Sequence, residues 1–185
     1  MKTTNFLSKL SLLLIFIAST SVFANNQDPV RSDKKTEPSK TIVDVAVGNE
    51  NFSTLVAAVK AADLVGTLNS EGPFTVFAPT NDAFARLPEG TVENLLKEEN
   101  KSTLSAVLTY HVVAGEFKAA DVLKAIKESG GMFEISTVNG EKLTAHLKDG
   151  KVMLKDAQGN MSTVIMTDVE ASNGVIHAID TVVMP

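Results

Sequence analysis

The stretch Gly72-Pro73-Phe74-Thr75-Val76-Phe77-Ala78-Pro79-Thr80-Asn81-Asp82-Ala83-Phe84 decides the fold. Phe74, Val76 and Ala78 alternate with Thr75 and Phe77 at period two, and aromatic and β-branched residues suit a pleated, covered surface. This predicts a central strand. Pro79 has no amide hydrogen to give to a ladder, so the strand is expected to stop there. Thr80, Asn81 or Asp82 can then accept from the free amides of a new helical turn, with Phe84 and Leu87 on one face.

A second stretch, Ser172-Asn173-Gly174-Val175-Ile176-His177-Ala178-Ile179-Asp180-Thr181-Val182-Val183-Met184-Pro185, answers the first. A tight Asn173-Gly174 turn leads into a strand apolar on both faces, as expected of one covered on both sides. The predicted strand runs from Val175 to Met184. Between the two lies Tyr110-His111-Val112-Val113, read as a short strand. Together these three motifs, in this order, resemble the fasciclin-like (FAS1) domain family from about Thr41 to Pro185. The resemblance implies an α+β fold, a wedge-shaped β-sandwich of about seven strands with short helices packed along one side. Thr75, Phe77, Pro79, Asn81, Asp82, Phe84, Asn173, Gly174, His177 and Asp180 are its structural motif residues.

Outward from these motifs, helical patterns come first and hairpins later. Thr41 and Asp44 form a candidate capping box before a helix reaching Val47. Phe52, Leu55, Val56, Val59, Ala62 and Leu68 recur at helical spacing and predict one amphipathic helix. Further helices are expected over 91–97 and 102–109, each opened by a hydroxyl residue, and over 121–129, stopped by Gly130-Gly131. Asn139-Gly140 and Asp149-Gly150 predict two-residue turns joining strands near 133–138, 142–148 and 151–155. Another strand is expected over 162–168.

The N-terminal part is not read as fold. A lysine-containing start, the apolar run Leu10 to Ala18 and Val22-Phe23-Ala24 predict a secretory signal peptide over 1–24, leaving no transmembrane segment after cleavage. Residues 25–40, with Val30 as the one sizeable apolar side chain, are expected to form a flexible tether, so the domain spans 41–185. Removing Lys2 and Lys9 takes the net charge from −5 to −7. That balance argues against nucleic acid as a partner. The absence of cysteine excludes disulfides and thiolate metal sites.

Chemistry leaves little trace. His111, His146 and His177 are scattered, with no pair at ligand spacing, so no metal, cofactor or catalytic set is expected. His146 falls on the wet face of a hairpin. His111 and His177 lie in apolar strands and are expected to be buried, neutral and hydrogen-bonded, with Asp180 anchoring backbone. In animal members of the family the Tyr-His segment is assigned to cell-receptor contact. The resemblance therefore implies partner contact by Tyr110 and His111 with Leu108, Val112 and Val113. A second adhesion signature maps to Asp168-Val169-Glu170, where Glu170 departs from the apolar residue of the pattern. The expected function is an exported, single-domain adhesion module binding a surface or matrix protein or glycan. The alternative is a carrier of a small apolar ligand between helices and sandwich.

Overall fold

The computed structural model describes residues 40–185; the expected signal peptide and all but the last residue of the tether lie outside them. The domain opens with α1 (Ile42–Val47), capped by the reciprocal Thr41–Asp44 box. The Glu50–Phe52 turn of 3-10 helix leads into α2 (Ser53–Ala61), which is followed by α3 (Val65–Leu68). The single helix expected across 52–68 is thus broken. The cause is Asp63, which takes a left-handed φ of 59°. The Asp63 amide donates to the Lys60 carbonyl and the Leu64 amide to that of Val59, closing α2 as a Schellman motif. Aspartate does there what glycine usually does, so the sequence carried no stop signal.

β1 (Phe74–Pro79) runs directly into α4 (Asn81–Ala85), and Thr80 is the cap: its hydroxyl accepts the Ala83 amide at 3.3 Å. α5 (Thr91–Leu95) and α6 (Lys101–Tyr110) follow, preceded by Gly90 and Asn100 rather than by capping hydroxyl side chains. Tyr110 ends α6 instead of starting a strand, and β2 is only Val112–Ala114. The carbonyls of Val107 and Leu108 explain this, since His111 satisfies them through its ring and its amide.

α7 (Ala119–Glu128) precedes the hairpins of β3 (Met132–Ser136), β4 (Lys142–Lys148), β5 (Lys151–Lys155) and β6 (Met161–Ala171), and β7 (Gly174–Ile179) completes the order. Two turns differ from expectation. At Asn139-Gly140 only the glycine has a positive φ, and Thr137 bonds across to Glu141, so the loop holds three residues rather than two. At the other, Ala171 pairs with Gly174, which makes Ser172 and Asn173 the turn and Gly174 the first strand residue. β7 ends at Ile179, and 180–185 leaves the ladder.

The strands form one sheet in the order β2-β1-β7-β6-β5-β4-β3. β1 and β7 are parallel, with Phe74 opposite Gly174, while the other neighbours are antiparallel. The edge strands nearly meet: Val113 bridges Thr137, and the Val138 amide donates to the Val112 carbonyl at 2.7 Å. This almost closed wedge has two cores. Inside it, Phe77, Ile135, Leu143, Ala145, Leu154 and Ile179 pack against Tyr110 and against Val122 and Ile126 of α7. Outside it, Val76, Ala78, Ile176 and Ala178 meet the helix layer of Ile42, Phe52, Leu55, Val59, Phe84 and Leu104. The two-sided burial read in β1 and β7 follows from their place between these cores.

Candidate functional site

The motif residues converge on the β1–β7 pair, where their side chains tie loops to strands. Thr75 is fully buried; its hydroxyl donates to the Gly115 carbonyl at 2.7 Å and accepts the Phe117 amide at 2.8 Å. Asn81 does not cap its own helix. Its Oδ1 accepts the Thr54 amide and the Ser53 hydroxyl, and its Nδ2 donates to the Glu50 carbonyl, so it caps α2 from across the molecule. Asp82 sits exposed in the first turn of α4, while Phe84 belongs to the helix-side core. Asn173 accepts the Ile42 amide at 2.9 Å and donates to the carbonyls of Leu68 and Ser70. Gly174 allows a close approach that no side chain could share, because a Cβ there would stand 1.9 Å from the Phe74 carbonyl oxygen.

Both interior histidines have both ring nitrogens engaged. His111 lies 2.7 Å through Nδ1 from the Val107 carbonyl, and its Nε2 accepts the Val183 amide. His177 lies 2.7 Å through Nε2 from the Phe117 carbonyl, its Nδ1 accepts the Asp168 amide, and its ring stacks on Phe77. These partners assign opposite neutral tautomers to the two rings. Burial pushes the His111 pKa down to about 4, against the Val107 carbonyl, which favours the charged form. Burial also lowers that of His177. Asp180 is only partly buried; burial raises its pKa, but the Thr163 amide, Arg86 and the Thr181 hydroxyl together bring it below the usual value.

The Tyr-His segment lies inside the fold. Leu108, Tyr110, His111, Val112 and Val113 are all buried, with Tyr110 fully enclosed between the Lys142 carbonyl and the Ala157 amide. Partner contact there meets no accessible side chain in this conformation. Asp168 is exposed and Val169 half-buried; Asp168 Oδ1 accepts the Ala119 amide at 2.8 Å, which holds the start of α7.

Two spaces remain. The first lies between the helices and the sheet, bounded by Ile42, Leu55, Val59, Leu68, Val76 and Ile176, with Lys60 at its rim. Its walls are almost wholly apolar, and its volume is about 50 Å³. The second is an open groove of about 580 Å³ where three loops meet, Asn69 to Pro73, Glu116 to Lys118 and Glu170 to Gly174. Lys118 spans it, with its ammonium 3.0 Å from Glu170 and 3.5 Å from Glu116, and Glu170 foremost raises its pKa. Among the described residues every buried side-chain polar atom has a hydrogen-bond partner, so no orphaned group is aimed into either space. The groove was not legible in the sequence, because its walls come from three loops at least 43 residues apart that no single motif joins.

The Fasciclin domain profile matches residues 50–185. Protein sll1483 of Synechocystis sp. is 55% identical over 169 residues, covering 91% of this chain and 87% of that protein. Transforming growth factor-beta-induced protein ig-h3 of Sus scrofa is 39% identical over 150 residues, 81% of this chain but 20% of that protein. The cell surface glycolipoprotein MPB83 of Mycobacterium bovis is 33% identical, covering 89% of this chain and 64% of that protein. Among solved structures, a FAS1 domain pair from the insect cell adhesion molecule fasciclin I superposes with a TM-score of 0.71 at 20% identity, covering 80% of this chain and 52% of that one. That likeness speaks for the fold.

Proposed function

The chain belongs to the fasciclin domain family, and from that premise we propose that it is an exported, non-catalytic interaction module that holds a polar partner, a surface or matrix protein or glycan, in its three-loop groove. Residues 1–24 serve as the signal peptide and 25–40 as the tether in this reading. The observation that carries it is the groove itself. At about 580 Å³ it falls within the range of binding clefts, and its walls mix carboxylates, a lysine and backbone groups with apolar surface. Its loops are fixed to the scaffold by Asn173 and Lys118, which keeps the ordering cost of binding low. Among the described residues no helix is long and apolar enough to cross a membrane.

The test is affinity capture from envelope and matrix fractions of the source cell with the parent protein and with Glu71→Trp, which fills the groove from an exposed position. A partner retained by the parent and lost by the variant supports the reading. The same partners recovered by both would remove the groove from it.

The apolar space under the helices favours a second reading, a carrier for a small apolar ligand. Its volume of about 50 Å³ lies far below the ~300–1,000 Å³ of ordinary ligand pockets, so loading would require α1 and α3 to part from the sheet. Native mass spectrometry of protein from its own host decides this: a reproducible mass lost on denaturation supports the carrier, and a bare chain every time opposes it.

A further inference from the structure

The outer face of β3, β4 and β5 carries an arrangement that neither core nor groove uses. Met132 is paired with His146, and His146 with Met153, across three adjacent antiparallel strands. Directly opposed residues project to the same side with Cβ atoms ~4.5–5.5 Å apart. Leu143 and Ala145, of the other parity, are fully buried in the wedge, so this row faces out. Met161 joins it on the diagonal, two residues along β6 from Thr163, the partner of Met153.

The outward face of such a sheet ordinarily carries polar residues. Here three of the six methionines gather round the one histidine that the interior does not use. Among the described residues His146 has no hydrogen-bond partner for either ring nitrogen, whereas His111 and His177 have both engaged. We propose that Met132, His146 and Met153 form a surface site for a soft monovalent cation of the Cu(I) and Ag(I) class, with Met161 in reach as a further thioether.

The donor set selects the ion. Thioether and imidazole are soft to intermediate ligands and suit Cu(I), while hard cations require oxygen. The one carboxylate of the outward face of β3 to β5, Glu134, is already paired with Lys142. Thioether and imidazole ligands bring no negative charge, and Lys148, Lys151 and Lys155 share the face, so a doubly charged ion meets twice the repulsion of a singly charged one. Methionine, unbranched and with three rotatable bonds, can bring sulfur to the imidazole from either side. No group of three or more His, Cys, Asp or Glu among the described residues could hold a metal, so the thioethers are essential to this site.

The test is titration of the purified protein with Ag(I) in chloride-free buffer, read by native mass spectrometry and calorimetry, beside Met132→Leu, Met153→Leu, His146→Gln and the control Met184→Leu. One Ag(I) per chain is expected, with Zn(II) not retained. Each ligand variant should weaken binding at least the roughly 10-fold that loss of even a supporting group costs a metal site. The control should bind as the parent does, and unchanged melting temperatures show that the variants fold. No stoichiometric uptake by the parent overturns the proposal. So does binding unaltered in the Met132→Leu/Met153→Leu double variant, or equally weakened in the control.

Discussion

Protonating His111 would place a hydrogen on Nε2, which already accepts the Val183 amide, and would charge a ring almost wholly shielded from water. Its folded pKa of about 4 lies below the ordinary 6.5, and that of His177 is lowered in the same direction. The unfolded chain therefore binds more protons between these limits. Stability is complete above about pH 6.5 and is lost as pH falls toward 4, at up to ~1.4 kcal/mol per pH unit for each histidine. Urea denaturation at pH 7.5 and 4.5 should show this loss, and His111→Asn, which keeps a donor and an acceptor but does not titrate, should flatten the profile. A variant as acid-sensitive as the parent would place the effect elsewhere. At Gly174 the constraint is steric. Gly174→Ala sets a methyl against the Phe74 carbonyl at the first rung of the parallel pair, and a loss of more than ~3 kcal/mol is expected in the same denaturation assay.

Between elements, asparagine side chains hold what the backbone leaves open. Asn81→Ala removes the cap of α2 and its tie to α4, and should cost ~1–3 kcal/mol, seen as a lower melting temperature. Asp63→Gly should do the reverse, by up to ~1 kcal/mol, because glycine takes the left-handed angle freely and the Lys101 contact it loses, 3.9 Å long and exposed, is worth little. A destabilised Asp63→Gly protein would mean that the carboxylate, not the angle, closes α2. These residues also mark what was legible in the sequence. Strand β1, its helix, the hairpins and the buried histidines follow from periodicity and turn chemistry, since each signal sits within a few residues. The break at Asp63 and the second helix capped by Asn81 do not, because one replaces glycine and the other acts on a partner 27 residues away. For the same reason Tyr110 reads as surface in a motif and as core in the fold: its enclosure depends on Lys142 and Ala157, which local sequence does not bring near.

Across the molecule, β1 and β7 contribute to both cores, through Val76, Ala78, Ile176 and Ala178 on one side and Phe77 and Ile179 on the other. Neither core can dissolve while the pair stands. Calorimetry should therefore give one transition, and amide exchange should protect β1 and β7 most, with the β3–β4–β5 hairpins opening earlier. Two resolved transitions would show that the cores are separable. The same pairing sets a clock. Phe74 meets Gly174, a partner 100 residues downstream. At the ~5–20 residues per second of protein synthesis, the ribosome needs roughly 5–20 s after making β1 before its central neighbour exists. Until then the strand has no parallel partner and the nascent chain has no closed sheet. A polypeptide that waits this long to fold stays threadable, which is what the export proposed for it requires.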